Sequence, residues 1–181
     1  ARWLWAAHCE TSTGVLNDLT ALKSLCAEHD VKLCLDCISS IGITPVDLRG
    51  VFLATGASGK AIGSFPGLSF VCHHHEVAPT PDLLPRYLDL GSYAAASGVP
   101  FTIPSNLVRA LHAALGRNRP ERQRELIEVS AWLRRQLREA GFRIVAADEH
   151  AAPGVITITL PTALNSKVLG EQLQAAGFLL S

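Results

Sequence analysis

The apolar positions of this chain fall into short runs separated by polar turns. Residues 3–8 (Trp-Leu-Trp-Ala-Ala-His) predict a strand, and the polar turn Glu10-Thr11-Ser12-Thr13-Gly14 follows it. Leu19, Leu22, Leu25 and Cys26 recur at helical spacing within 18–30, which predicts an amphipathic helix capped at Asn17 or Asp18. Residues 31–36 show no polar face beyond Lys32 and end on a carboxylate, Asp36; 51–55 and 68–72 give two more apolar runs. Strand, helix, strand with runs apolar on both faces is the pattern of an α/β fold, a mostly parallel sheet covered by helices.

The pattern changes from about residue 79. Proline, glycine and alanine dominate as far as 104, the composition of a long irregular connection. Helices are expected at 105–115 and 120–140, the second with Pro120 in its first turn and Leu126, Val129, Leu133 and Leu137 on one face against Arg and Glu on the other. Strands are expected at 142–146 and 155–160, a helix at 165–176, and the start of another strand at 178–181. This tail reads as a small α+β unit, which divides the chain into 1–118 and 119–181.

Composition narrows the function classes. Hydrophobic residues make up 48% and charged residues 18% of the 181, the balance of a folded globular chain. Sixteen basic residues offset sixteen acidic ones, so no global charge draws the chain to nucleic acid or to an anionic membrane. No apolar run reaches the roughly 18 residues of a spanning helix. Five cysteines form an odd set without a disulfide framework, and reduced thiols in a cytoplasmic protein are the simpler expectation. Methionine is absent, so Ala1 is not an ordinary translation start, and a piece of a longer protein is expected.

Ligands of open α/β sheets bind beyond the carboxyl ends of the strands. Glu10 to Thr13, Asp36 and Thr55 to Lys60 all fall at such ends. Asp36 taken alone is also an ordinary turn or cap residue. Lys60 differs from the other three lysines, Lys23, Lys32 and Lys167, which occupy positions typical of solvated surface. It lies in Gly56-Ala57-Ser58-Gly59-Lys60-Ala61-Ile62-Gly63, where small neighbours allow close approach of a bulky group. Partial desolvation there would make its amine a usable nucleophile for a Schiff base. A phosphate-loop reading fails because Ala61 stands where Ser or Thr is required.

Other features carry less. Cys34 and Cys37 lack a second pair, and strand alternation sends the two thiols to opposite faces, so no metal site is expected. His73-His74-His75 reads as a solvated strand end. The arginines at 117, 119, 122, 124, 134, 135 and 138 are interleaved with Glu121, Glu125, Glu128 and Glu139, which predicts a salt-bridged solvent face. Trp3, Trp5 and Trp132 are expected in a core or an interface.

His8-Cys9-Glu10-Thr11-Ser12-Thr13-Gly14-Val15, then Leu33-Cys34-Leu35-Asp36-Cys37-Ile38-Ser39-Ser40-Ile41-Gly42, then Gly56-Ala57-Ser58-Gly59-Lys60 resemble three successive motifs of the class V aminotransferases, pyridoxal-phosphate enzymes of fold type I. The likeness extends over nearly the whole chain, with alanine–glyoxylate, serine–glyoxylate and 2-aminoethylphosphonate–pyruvate aminotransferases as the nearest kinds. It implies part of the large cofactor-binding domain over 1–118 and part of the small C-terminal domain over 119–181. It implies an amino group moved from an amino acid or aminophosphonate to a 2-oxo acid such as glyoxylate or pyruvate.

The resemblance also assigns roles. Lys60 would carry the Schiff base and shuttle the proton. Asp36 would hold the pyridine nitrogen protonated, Thr11 would bond near the ring hydroxyl, and Ile38 would pack under the ring. Ser58 and Gly59 stand where relatives contact the phosphate, although Gly59 has no side chain to do so. Gly98-Val99-Pro100-Phe101-Thr102-Ile103-Pro104 is similar to a loop that caps the phosphate of the partner subunit, with Thr102 as the matching hydroxyl and Val99 in place of a frequent tyrosine. That match implies a homodimer with shared sites. The family's Gly-rich turn and substrate-binding arginine are expected outside this stretch, which would leave it inactive alone. Other class V chemistry (a lyase or desulfurase) and a non-catalytic remnant of the scaffold stay open.

Overall fold

The computed structural model describes residues 1–178, and the strand expected at 178–181 lies almost wholly outside them. The chain opens with strand β1 (Trp3–Ala7), a small hairpin of β2 (Cys9–Glu10) and β3 (Val15–Leu16), and helix α1 (Leu19–Glu28). Asp18 starts α1: its Oδ1 accepts the backbone N–H groups of Thr20 and Ala21 at 2.8 and 3.0 Å, satisfying donors the first turn leaves free. Strands β4 (Lys32–Asp36), β5 (Leu53–Ala57) and β6 (Ser69–Cys72) follow. The sheet order is β1-β4-β5-β6, with β1, β4 and β5 parallel and β6 antiparallel at the edge.

The pleat sorts the side chains. Leu33, Leu35, Cys37 and Ala54 are buried together with Cys26 of α1 and Val51, and Leu4, Ala6, Leu19 and Leu22 pack around them. Residues of the opposite face align across the strands, Trp5 with Cys34, then Ala7 with Asp36 and Asp36 with Thr55. That face borders an open cleft of about 820 Å³ between the sheet and the segment around Tyr87 and Tyr93. Trp3 and Trp5 stand on it exposed, so they are not in this chain's core, the first of the two placements expected; no strand lies beyond β1 among the described residues.

Strand β5 begins two residues later than expected. The Val51 amide donates to the Leu48 carbonyl, so Val51 is buried in a turn rather than a ladder. The connection 79–104 contains a helix that its composition hides, α2 (Leu90–Ala95). Buried Asp89 anchors it, accepting from the Thr80 N–H at 2.9 Å, the Gly91 N–H at 3.0 Å and the Ser92 hydroxyl at 2.9 Å.

Helices α3 (Ser105–Arg117) and α4 (Pro120–Glu139), strands β7 (Arg143–Ile144) and β8 (Ile158–Thr159), and helix α5 (Ser166–Ala175) complete the chain. The two strands form a short antiparallel pair. The buried stripe of α4 matches its apolar pattern only at the half-buried Leu126 and Leu137. Ser130 and Arg134 face inward and are buried, while Val129, Trp132 and Leu133 are exposed. Arg134 therefore leaves the expected salt-bridged surface, of which Arg124–Glu121 at 3.1 Å remains. Of the remaining lysines, Lys23 is bonded to Asp47 rather than free, and Lys32 lies over the rings of Trp3 and Phe52. His75 stacks on Phe52 at 3.9 Å, so only His73 and His74 form the exposed strand end. Among the described residues no helix is long and apolar enough to cross a membrane.

Candidate active site

Three loops leave the sheet at one edge because β1, β4 and β5 run parallel and adjacent. Their exits are stitched together: the His8 N–H donates to the Asp36 carbonyl at 2.9 Å, and the Cys37 N–H to the Thr55 carbonyl at 2.9 Å. The turn holding Thr11, the carboxylate of Asp36 and the loop holding Lys60 thus share the carboxyl edge of the sheet, where open α/β folds bind ligands. Lys60 comes near enough to Cys9, in the first of these loops, to act electrostatically on its thiol. Burial still dominates there and pushes the thiol up.

Asp36 is half-buried, and its Oδ1 accepts the Ile38 N–H at 2.9 Å in a tight turn. Its Oδ2 has no protein partner among the described residues. Ile38 follows half-buried. Lys60 is exposed, and its side-chain amine makes no hydrogen bond or ion pair among the described residues. The small neighbours that were expected to desolvate it do not, because side chains that stop at Cβ cannot cover a long amine. Thr11 is exposed, and its hydroxyl has no partner among the described residues.

Ser58 takes a different part. It is fully buried, its hydroxyl donates to the Phe65 carbonyl at 2.7 Å and accepts the Leu68 N–H at 3.2 Å, and its own N–H donates to the Leu68 carbonyl. The hydroxyl expected at a phosphate is consumed in closing the loop 58–68. Gly59 has a steric reason instead: a Cβ there would stand 2.7 Å from Pro66 Cα. Thr102 is exposed on the far connection and has no hydrogen bond to Lys60, Asp36 or Thr11.

His8 was not singled out as a site residue, yet it joins two of the loops. It is buried, and its Nδ1 lies 2.9 Å from the Ser40 hydroxyl, which itself donates to the Cys37 carbonyl. Burial keeps the ring's pKa below its ordinary value. The one sequence signal was a polar residue closing an apolar strand.

No family model matches the chain. Individual proteins do. It is 36% identical to the soluble hydrogenase 42 kDa subunit of Anabaena cylindrica over 173 residues, 85% of this chain and 44% of that protein. It is 32% identical to the 2-aminoethylphosphonate–pyruvate transaminase of Pseudomonas putida over 188 residues, 96% of this chain and 51% of that protein. Its fold superposes on the subgroup IV aspartate aminotransferase of Thermus thermophilus with a TM-score of 0.85 at 28% identity, covering 99% of this chain and 54% of that one. The chain belongs to the class V aminotransferases of fold type I. It spans about half the length of the curated relatives it matches.

Membership fits the residues present at one end of the family's cofactor, pyridoxal phosphate, better than at the other. A free primary amine, a carboxylate oxygen without a partner and the half-buried Ile38 share one edge, which suits an aldehyde, a ring nitrogen and a ring face. The phosphate end receives no side chain from Ser58 or Gly59. The cysteines do not suit the family's thiol chemistry: Cys9, Cys26, Cys34 and Cys37 are buried, Cys72 is partly so, and burial raises Cys37 to about 11.

Proposed function

We propose that this chain carries the cofactor-holding edge of a pyridoxal-phosphate-dependent aminotransferase, which moves an amino group from an amino acid or aminophosphonate to a 2-oxo acid such as pyruvate or glyoxylate. The observation that carries the reading is that the unpaired amine of Lys60 and the partner-free oxygen of Asp36 sit on loops leaving adjacent parallel strands at one edge of the sheet. When bound, pyridoxal phosphate supplies an aldehyde that captures amines and a protonated ring that draws off the electrons left at the substrate's Cα. Lys60 Nζ is the covalent anchor and then holds and moves the proton at Cα. Asp36 Oδ2 accepts the N–H of the ring and keeps it protonated. Ile38 supports the ring, and Thr11 bonds at its hydroxyl.

The division into 1–118 and 119–181 is proposed as the large and small domains. The partner is proposed as a second copy whose 98–104 loop lends Thr102 to the phosphate end, where this chain's own Ser58 and Gly59 give nothing. The five unpaired thiols suit a reducing, cytoplasmic setting. A second reading, a non-catalytic remnant, draws on the same bare phosphate end.

Visible absorbance after incubation with pyridoxal phosphate and dialysis separates the two. Wild type is expected to keep a coloured band that Lys60→Ala lacks. If wild type keeps no more cofactor than the variant, both as this chain and within the longer protein that supplies the Gly-rich turn, the aminotransferase reading falls and the remnant reading replaces it.

A further inference from the structure

Outside the three motifs, the most unusual side chain is Arg134 of α4, a guanidinium only 4% exposed. Its Nη2 donates to the Ala152 carbonyl at 3.1 Å and to the Val155 carbonyl at 2.9 Å, while its Nη1 is buried with no partner. Among the described residues no carboxylate bonds to it. Asp148, the acid that acts on its charge, is taken by Arg138 at 2.6 and 3.0 Å. A buried cation without a paired carboxylate is costly, so the two carbonyls it fixes are what it achieves there.

Those carbonyls belong to a turn that meets two of the three loops of the candidate site. The Ala152 N–H donates to the Gly14 carbonyl at 2.9 Å, and Ala151 bridges to Val15. Gly14, at φ 73°, passes so close that a Cβ would stand 3.0 Å from the Val155 oxygen, the same oxygen that Arg134 holds. Gly14 also closes the turn carrying Thr11, its N–H donating to the Glu10 carbonyl at 2.9 Å. On the other side, Gly154 lies against Ile43, in the loop that follows Asp36: a Cβ on Gly154 would be 2.9 Å from Ile43 Cδ1.

We infer that Arg134 is a positioning residue: by clamping the 152–155 turn from within the C-terminal unit, it fixes the first-motif turn and the loop after Asp36 in the arrangement that receives the cofactor. Its consequence for cofactor retention rests on the aminotransferase reading; its consequence for the loops does not. A planar guanidinium holds two carbonyls from one nitrogen and tolerates burial better than an ammonium, so lysine should substitute only in part.

The test uses the full chain as wild type, Arg134→Lys, Arg134→Met and Gly14→Ala, the last attacking the same contact from the other side. Amide exchange at Gly14 and Ala152 is expected to rise about tenfold in Arg134→Met and less in Arg134→Lys, with α1 amides unchanged, the mark of local rather than global opening. Dissociation of bound pyridoxal phosphate, followed by its visible band, should quicken in the same order. Unchanged exchange at Gly14 and Ala152 overturns the proposal. So does a rise shared equally by α1, which would make Arg134 a general stabiliser only. Should Arg134→Met fail to fold, Arg134→Lys and Gly14→Ala decide by the same comparison. If wild type retains no cofactor, as this chain or within the longer protein, the aminotransferase reading fails while exchange still judges the clamp.

Discussion

His8 illustrates how much of a site rests on side chains that touch no ligand. Its ring sits between the turn carrying Thr11 and the loop after Asp36, and burial lowers its pKa from 6.5. The folded state therefore holds it neutral where the unfolded chain takes up a proton. Its contribution to stability is complete above about pH 6.5 and is lost as pH falls through that value toward the folded pKa. Thermal midpoints at pH 7.5 and 5.5 should show a larger acid loss in wild type than in His8→Asn, whose amide nitrogen keeps the bond to Ser40 without titrating. An equal acid loss in both proteins would remove His8 from this account. The placement of Lys60 at the carboxyl edge of the sheet was legible at this scale because it follows an apolar run. The commitment of Ser58 was not, since its partners, Phe65 and Leu68, arrive only when the loop closes.

Among the elements, those whose burial follows one period were legible from the pattern of apolar residues. Helix α1 is largely such a case: Cys26 is buried, Leu19 and Leu22 join the core, Leu25 of the same expected face stays exposed, and the cap is one of the two residues expected. Asp18→Ala should remove both cap bonds and cost about 1 kcal/mol in denaturant unfolding, with the slope against denaturant unchanged. A loss within error of zero would mean that water replaces the cap. Helix α4 misled because its apolar residues outnumber the positions its neighbours cover. The inward stripe carries Ser130 and Arg134, and a buried arginine reads in sequence like any solvated one. Helix α2 was hidden for the opposite reason: its cap, Asp89, is bonded to Thr80 as well as to Gly91 and Ser92, a contact between distant residues that no local signal announces.

At the scale of the molecule, the mostly parallel sheet was readable because runs apolar on both faces admit few other arrangements. What lies beyond a single chain has to be tested by mixing. Within one chain Thr102 is exposed on the 98–104 connection and unbonded to the edge that holds Lys60. If a partner copy lends it, each site takes Lys60 from one subunit and Thr102 from the other. Lys60→Ala and Thr102→Val would then each retain cofactor poorly alone. Unfolded together and refolded at equal amounts, they should form mixed dimers in which one site is doubly altered and the other has both original residues. Random pairing places about a quarter of all sites in that restored class. The expected outcome is a slowly dissociating fraction near that share, absent from either variant refolded alone. A mixture that releases cofactor as the plain sum of the two variants would place Thr102 and Lys60 in no common site, and the two-copy arrangement would have to be abandoned.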